Sequence, residues 1–295
     1  LRLVVISVLL FAALLSACGA PGEPIQSAAG SIAAAGTETG VQPVLATSEI
    51  VVGPNRIAIG LLDNNVPLKD MATTTLGVRY FQLDGNTATP LGEEQARFFG
   101  AGLGERGTFV IRPTFERAGA YGLELDIRRS GHEPVVRRIS IQVTDTGATP
   151  RIGSSAPRSD TPTVADVADL SLLSSAAEPD PRLHTLSVAQ AVSSGKPSLI
   201  LFATPGYCRT QVCGPGVDVL QRLSDRFGDA VAPVHVEVYK LPYENGLMVP
   251  AMREWNLQTE PWLFLVDSKG TIADRFEGGI TFEELEPEVA KLVGQ

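Results

Sequence analysis

Cysteine is scarce, with three in 295 residues. Cys18 closes the leading apolar run, while Cys208 and Cys213 lie together near the C-terminal third. That scarcity excludes a disulfide framework, so stability must come from packed cores. Aromatic residues are also few, at 6%, whereas Ala, Gly, Ser, Thr and Pro are plentiful. Such a mixture favours polar linkers between folded parts. Lys and Arg form no cluster and the net charge is −9, so a nucleic-acid partner finds no electrostatic footprint. Only three histidines occur, and no metal or other cofactor is expected. The leading apolar run, Leu3 to Leu15, spans thirteen residues. As a helix it would reach about 20 Å, short of a bilayer core of about 30 Å.

That run follows Arg2 and precedes Leu15-Ser16-Ala17-Cys18. An apolar core of this length reads as a signal peptide rather than a membrane span. The apolar–small–small–Cys tetrapeptide resembles the bacterial lipobox. The resemblance implies that residues 1–18 form a lipoprotein signal and that Cys18 becomes a lipid-modified N-terminus. Acyl chains on that cysteine would anchor the protein at the extracytoplasmic face of the cell membrane, at about 0.8 kcal/mol per buried methylene. Residues 19–47 are rich in Ala, Gly, Ser, Thr and Pro and are expected to be a disordered tether.

Residues 48–145 carry a period of two. Ile57, Ile59 and Leu61 alternate with other positions, as do Leu76, Val78 and Tyr80. The same holds for Tyr121, Leu123, Leu125 and Ile127, and for Val135, Ile139, Ile141 and Val143. Turn-forming clusters such as Asp63-Asn64-Asn65 and Asp84-Gly85-Asn86 separate the runs. About seven short strands of this kind predict an antiparallel β-sandwich. The stretch Phe115–Leu125, FERAGAYGLEL, resembles the penultimate hairpin of bacterial immunoglobulin-like modules. His132 stands alone in a turn. Residues 146–180 are expected to be a second linker, with a short helix over Val164–Leu173.

From residue 181 onward the elements alternate. A helix capped by Ser187 precedes the apolar strand Ser198–Ala203, SLILFA, which has the continuous apolar character of a buried central strand. A loop then holds the cysteines, and a helix runs to about Phe227 with Val219, Leu220 and Leu223 at helical spacing. A strand over Val234–Val238 and a helical turn over Pro250–Trp255 follow. Next come a hairpin across Asp267–Gly270 and a final helix from Thr281, with Glu284 placed to complete a capping box. The acidic run from Glu283 to Glu288 reads as a solvated helix start.

Two segments resemble the thioredoxin superfamily: LILFATPGYCRTQVCGP (Leu199–Pro215) and TEPWLFLVDSKGTIADRFEG (Thr259–Gly278). The resemblance implies an α/β thioredoxin-like domain over residues 181–295. It also implies a redox site at Cys208 and Cys213, with Pro261 as the cis-proline beside the groove that holds a partner's backbone. The implied activity is thiol–disulfide exchange with protein thiols and disulfides. A cysteine attacks as its thiolate, which a helix N-terminus and a neighbouring cation both favour. Cys208, beside Arg209, is therefore read as the nucleophile and Cys213 as the resolving thiol. The family's usual pair has two intervening residues, and this chain has four. In an unbroken helix the two Cα atoms would lie about 8 Å apart, beyond the 4.4–6.8 Å a disulfide spans. The segment must then be a loop, or its first turn must unwind. In a second register, Cys213-Gly214-Pro215 matches the thioredoxin motif and Cys213 takes the nucleophile position. The preceding strand lacks the family's buried Asp.

Three other readings stand beside this one. A copper-binding thioredoxin-like chaperone would use both cysteines with His235, Met248 or Met252, because soft ligands select Cu(I). A peroxidase would use the same four-residue spacing, but the Arg expected before the later strand is replaced by Glu260-Pro261. The third is a non-catalytic interaction module. The lipobox itself is directly testable. Expressed with its signal, the protein should partition into the detergent phase, and Cys18→Ala should abolish that partitioning. Unchanged partitioning would remove the anchor.

Overall fold

The structure is a computed structural model, and it describes residues 40–295. The signal, Cys18 and most of the expected tether lie outside the described residues. The N-terminal strands are β1 (Val41–Leu45), β2 (Gly53–Pro54), β3 (Ile57–Asp63), β4 (Val66–Pro67), β5 (Thr75–Asp84) and β6 (Thr87–Gln95). They continue with β7 (Arg97–Phe99), β8 (Thr108–Ile111), β9 (Thr114–Phe115), β10 (Gly119–Arg128) and β11 (Val135–Val143). One sheet runs β1-β3-β8-β7, with β4 paired to β3, and a second runs β11-β10-β5-β6. All of these pairings are antiparallel.

The alternating residues do what their period requires. Ile57, Ile59 and Leu61 of β3, Leu76 and Val78 of β5, and Tyr121, Leu123, Leu125 and Ile127 of β10 all enter one core between the sheets. The periodic reading missed β1, β6 and the short β2, β4 and β7. β6 is polar and almost wholly exposed, and it forms the open edge of its sheet. Its Pro90 sits where the register with β5 shifts, a place where a missing N–H is tolerated. β1 falls inside the expected tether. Val41–Leu45 pairs with β3 across five residues, and Val41 is buried, so the tether ends before this strand.

The C-terminal part has a thioredoxin-like fold. Strands β12 (Ser198–Ala203), β13 (Ala232–Glu237), β14 (Trp262–Val266) and β15 (Ile272–Glu277) form one sheet in the order β13-β12-β14-β15. β12 and β13 are parallel, whereas the β12–β14 and β14–β15 pairs are antiparallel. Helices α1 (Val188–Ser193) and α3 (Pro250–Glu254) pack with Ile200 and Phe202 on one face. Helices α2 (Cys213–Phe227) and α4 (Phe282–Leu292) pack with Leu199 and Leu201 on the other. β12 is buried on both sides, which explains its unbroken apolar sequence. α1 is closed by a capping box between Ser187 and Gln190.

The stretch 146–180 is packed, contrary to its linker-like composition. Ala156 joins the α1–α3 core, and its N–H bonds the Gly270 carbonyl. Ser159, Thr163 and Ser174 are buried as well. Ser159 Oγ accepts from the Trp255 indole N–H at 3.2 Å, and Thr161 Oγ1 accepts from Val188 N–H at 3.0 Å. The helix expected over 164–173 is reduced to a single 3-10 turn at Leu170–Leu172. Polar side chains bond the domain here, so hydrophobic periodicity could not reveal the packing.

A buried ion pair fastens the sandwich to the thioredoxin-like domain. Arg56, just before β3, donates from Nε to Glu284 Oε1 at 2.7 Å and from Nη2 to Oε2 at 2.8 Å. It also donates to the carbonyls of Glu277 and Gly279. Both side chains are almost fully buried, at 4% and 2% exposure. The Glu284 carboxylate is therefore not the solvated acid of a helix start, and the capping box is half made. Thr281 Oγ1 accepts from Glu284 N–H, while the Glu284 carboxylate turns to Arg56. A second clamp joins Arg275 Nη1 to Glu49 at 2.7 Å, with Thr149 bonded to both. Burial opposes the charge on Glu49, but Thr149 and Arg275 together hold its carboxyl below the usual range. A carboxyl lowered in this way adds stability above its unfolded pKa and loses it as pH falls through the folded value. Removing Arg56 leaves the buried Glu284 carboxylate with only the longer contact to the half-exposed Arg112, at 3.4 Å. Arg56→Ala should cost about 3–5 kcal/mol in urea unfolding, and Arg56→Met with Glu284→Leu should cost much less. Equal costs for the two variants would contradict a dominant role for the stranded charge.

Candidate active site

The cysteines sit where β12 hands over to α2. The chain leaves the sheet at Thr204, loops through Cys208, and enters α2 at Cys213. Cys208 and Cys213 are joined as a disulfide, with Cα atoms 6.0 Å apart. Of the two backbone solutions left open by the spacing, the loop is the one realised. Gln211 reverses the chain in the left-handed region, at φ 58°. Pro215 lies in the first turn of α2, where its missing N–H leaves no bond unmade.

The expectation that a helix N-terminus favours the Cys208 thiolate does not hold, and the alternative with a loop from Cys208 to Cys213 does. The helix begins at Cys213, so the unsatisfied N–H groups of its first turn act there. No acidic residue occupies that turn to oppose a negative sulfur. Exposure divides the other way. Cys213 is fully buried, whereas Cys208 is partly exposed, with its Sγ 3.2 Å from Thr210 Oγ1. One cysteine is thus open to attack, and the other is buried at a helix N-terminus, whose N–H groups favour a departing thiolate while its apolar surroundings oppose it.

The cysteine loop is pinned from a distance in sequence. Gly206 N–H donates to Ser175 Oγ at 2.9 Å. Ser175 donates in turn from N and from Oγ to Glu237 Oε2, each at 2.7 Å. A Cβ at Gly206 would fall 2.9 Å from the Ser175 carbonyl oxygen, so this approach requires glycine. Ser175 lies in the stretch expected to be a linker, and nothing in its local sequence marks it. Glu237, at the end of β13, is a buried carboxylate that a strand-only reading passes over.

The Glu260–Pro261 bond is cis, at the entrance to β14. The Leu241–Pro242 bond is cis too, which the sequence reading did not anticipate. Thr259 Oγ1 accepts from the Trp262 indole at 2.8 Å and donates to Glu277 Oε1 at 2.7 Å. Glu277 Oε2 accepts from the Ser48 N–H of the sandwich at 2.7 Å. The segment around Pro261 is therefore braced by the neighbouring domain. Burial raises the Glu260 carboxyl above its usual range, with Glu237 adding to the rise and Arg209 opposing it.

The residues considered for copper are not assembled. His235 is buried on β13, with Nε2 3.1 Å from the Ala203 carbonyl oxygen. A carbonyl only accepts, so Nε2 carries the proton. Nδ1 has no hydrogen-bond partner among the described residues. The ring lies 5.2 Å from that of His184, and burial pushes both imidazoles down to about 4. Met252 packs in the core with Val234 and Val236, so it lies on the opposite face of β13 from His235. Met248 is exposed on a separate loop. Among the described residues, no group of three or more His, Cys, Asp or Glu side chains is placed to hold a metal.

No known family pattern matches the chain, and no curated protein matches it in sequence. Solved structures with partial similarity include two from Chlorobium tepidum. One, a thiol:disulfide interchange protein DsbE, is 16% identical, with a TM-score of 0.35, and the match covers 50% of this chain and 100% of the other. A second thiol:disulfide interchange protein, of the thioredoxin family, is 16% identical with a TM-score of 0.33, covering 51% and 99%. A thioredoxin-like superfamily protein is 20% identical with a TM-score of 0.31, covering 37% and 86%.

Proposed function

We propose that this protein is a thiol–disulfide oxidoreductase that uses the Cys208–Cys213 pair and is held at the extracytoplasmic face of a membrane through Cys18. The observation that carries the proposal is the disulfide itself. It joins a partly exposed Cys208 to a buried Cys213 at the head of α2 in a thioredoxin-like domain. In the oxidising direction, a partner thiolate attacks Sγ of Cys208. A partner–Cys208 disulfide forms as the Cys208–Cys213 bond breaks, and Cys213 leaves as a thiolate at the helix N-terminus. A second partner thiolate then attacks the partner sulfur of the mixed disulfide, and Cys208 departs as a thiolate. Two electrons pass to the pair, and the partner becomes a disulfide. Reduction of a partner disulfide follows the same steps backwards.

We read the sandwich as an immunoglobulin-like module. Its support is Tyr121, buried at the start of β10, whose hydroxyl donates to the Arg117 carbonyl four residues upstream at 2.8 Å. That arrangement is the tyrosine corner of such sandwiches. Its work here would be to brace the Pro261 segment through Ser48 and Glu277, in addition to any role as a spacer from the membrane.

The exchange step is tested by trapping. In Cys213→Ser the mixed disulfide at Cys208 cannot be resolved internally. Incubation with a single-cysteine peptide activated as its mixed disulfide with thionitrobenzoate should accumulate a covalent adduct at Cys208 as thionitrobenzoate leaves, identified by peptide mass. Cys208→Ser should trap far less, because Cys213 is buried. Equal trapping by both variants would reverse the assigned roles, and trapping by neither would end the oxidoreductase reading.

A further inference from the structure

Beside Cys208 stands a surface that the exchange chemistry does not require. Between β13 and α3 the chain makes an eleven-residue excursion, Tyr239 to Val249. It is an ordered hairpin. Lys240 N–H bonds the Leu247 carbonyl at 2.8 Å, Leu247 N–H bonds the Glu244 carbonyl at 2.9 Å, and Val249 N–H bonds the Val238 carbonyl at 2.9 Å. Asn245 and Gly246 turn its tip with positive φ. Tyr243 from this hairpin stacks on Tyr207, the residue before Cys208, with ring centroids 4.1 Å apart and planes 22° apart. Tyr239 meets both rings edge-on. Despite this packing, Tyr207 and Tyr243 remain 41% and 45% exposed, and Leu247 and Met248 of the same hairpin 47% and 36%.

Apolar groups are held exposed by a structured loop that packs on Tyr207, the residue before Cys208. What covers them follows from the covalent step. A partner in mixed disulfide with Cys208 has its own cysteine fixed at that sulfur. Successive residues of an extended chain advance about 3.3 Å each, so a residue next to the partner cysteine comes within reach of Tyr207, the neighbour of Cys208, and of the ring stacked on it. The platform side chains carry no charge, and the nearby Lys240 and Glu244 pair with each other at 3.4 Å. A neutral aromatic surface suits an aromatic or aliphatic side chain, since ring–ring contact adds about 0.5–1.5 kcal/mol beyond simple burial.

We propose that Tyr207, Tyr243 and Leu247 form a specificity platform. It selects extended polypeptide partners that carry an aromatic or large aliphatic residue next to the reacting cysteine. This rests on the exchange reading above. The test uses the full chain with its disulfide formed and three short peptides of one length, each with a single cysteine flanked by Phe, Lys or Ser. The rate of attack on the Cys208–Cys213 bond is followed by stopped flow and compared with that of dithiothreitol. The Phe peptide should react about tenfold faster than the Ser peptide. In the double variant Tyr243→Ala, Leu247→Ala, the Phe-to-Ser rate ratio should fall to within about twofold of unity. The ratio, not either rate, is the readout, so a general change in folding or reactivity cancels. Equal rates for Phe and Ser, a Lys peptide faster than both, or a ratio unchanged in the variant would each overturn the platform. A pair that dithiothreitol cannot reduce would sink the exchange reading itself, and the platform with it.

Discussion

Arg56 leaves the sandwich and ends inside the thioredoxin-like domain, where the Glu284 carboxylate and the carbonyls of Glu277 and Gly279 take its donors. A guanidinium buried to this degree is stable only with every partner in place. Much of the architecture is arranged to supply them. α4 opens with Glu284 turned inward, and β15 ends at Glu277, whose main chain receives Arg56 and whose side chain holds Thr259 and Ser48. The Arg275–Glu49–Thr149 clamp repeats the device two residues earlier on β15. The two folded parts therefore meet through directional polar contacts, with Arg56 and Arg112 also lying over the Phe276 ring. Such contacts fix orientation more strictly than they add net stability.

That junction lies close in the chain to the chemistry. Glu277 links the sandwich to Thr259, two residues before Pro261. Ser175 and Glu237 hold Gly206 of the cysteine loop. Two braces thus act here, one on the Pro261 segment from the sandwich junction and one on the cysteine loop from the stretch that precedes the thioredoxin-like domain. Within this frame the two sulfurs differ in the way an exchange reaction needs. Cys208 is reachable, and Cys213 is buried at the positive end of a fifteen-residue helix.

Periodicity revealed the strands that bury one face, such as β3 and β10, and an unbroken apolar run revealed β12. Both signals come from burial, so elements that bury little left no trace. The polar edge strand β6 and the short β1 are of that kind. The cysteines and Pro261 were legible because their chemistry is rare and their spacing restrictive. Whether Cys208 to Cys213 is loop or first helical turn was not decided by the spacing, because a loop long enough to close the disulfide looks, in sequence, like the first turn of α2. Ser175, Glu237 and Glu277 were not legible at all. Each acts through hydrogen bonds to residues far along the chain, and a lone Ser or Glu carries no pattern that records its partner. Glu284 was read as a solvated acid because helix starts favour acids, and only Arg56, 228 positions away, shows otherwise.

The central claim is that the Cys208–Cys213 bond is a working redox couple and not a structural staple. Equilibrating the full chain in glutathione buffers of graded potential, then quantifying free thiols at both positions, measures this directly. The account predicts one two-electron transition in which both cysteines change together, with a midpoint in the range of about −120 to −270 mV occupied by thiol–disulfide oxidoreductases. A pair that stays oxidised below about −300 mV, as structural disulfides do, would contradict it.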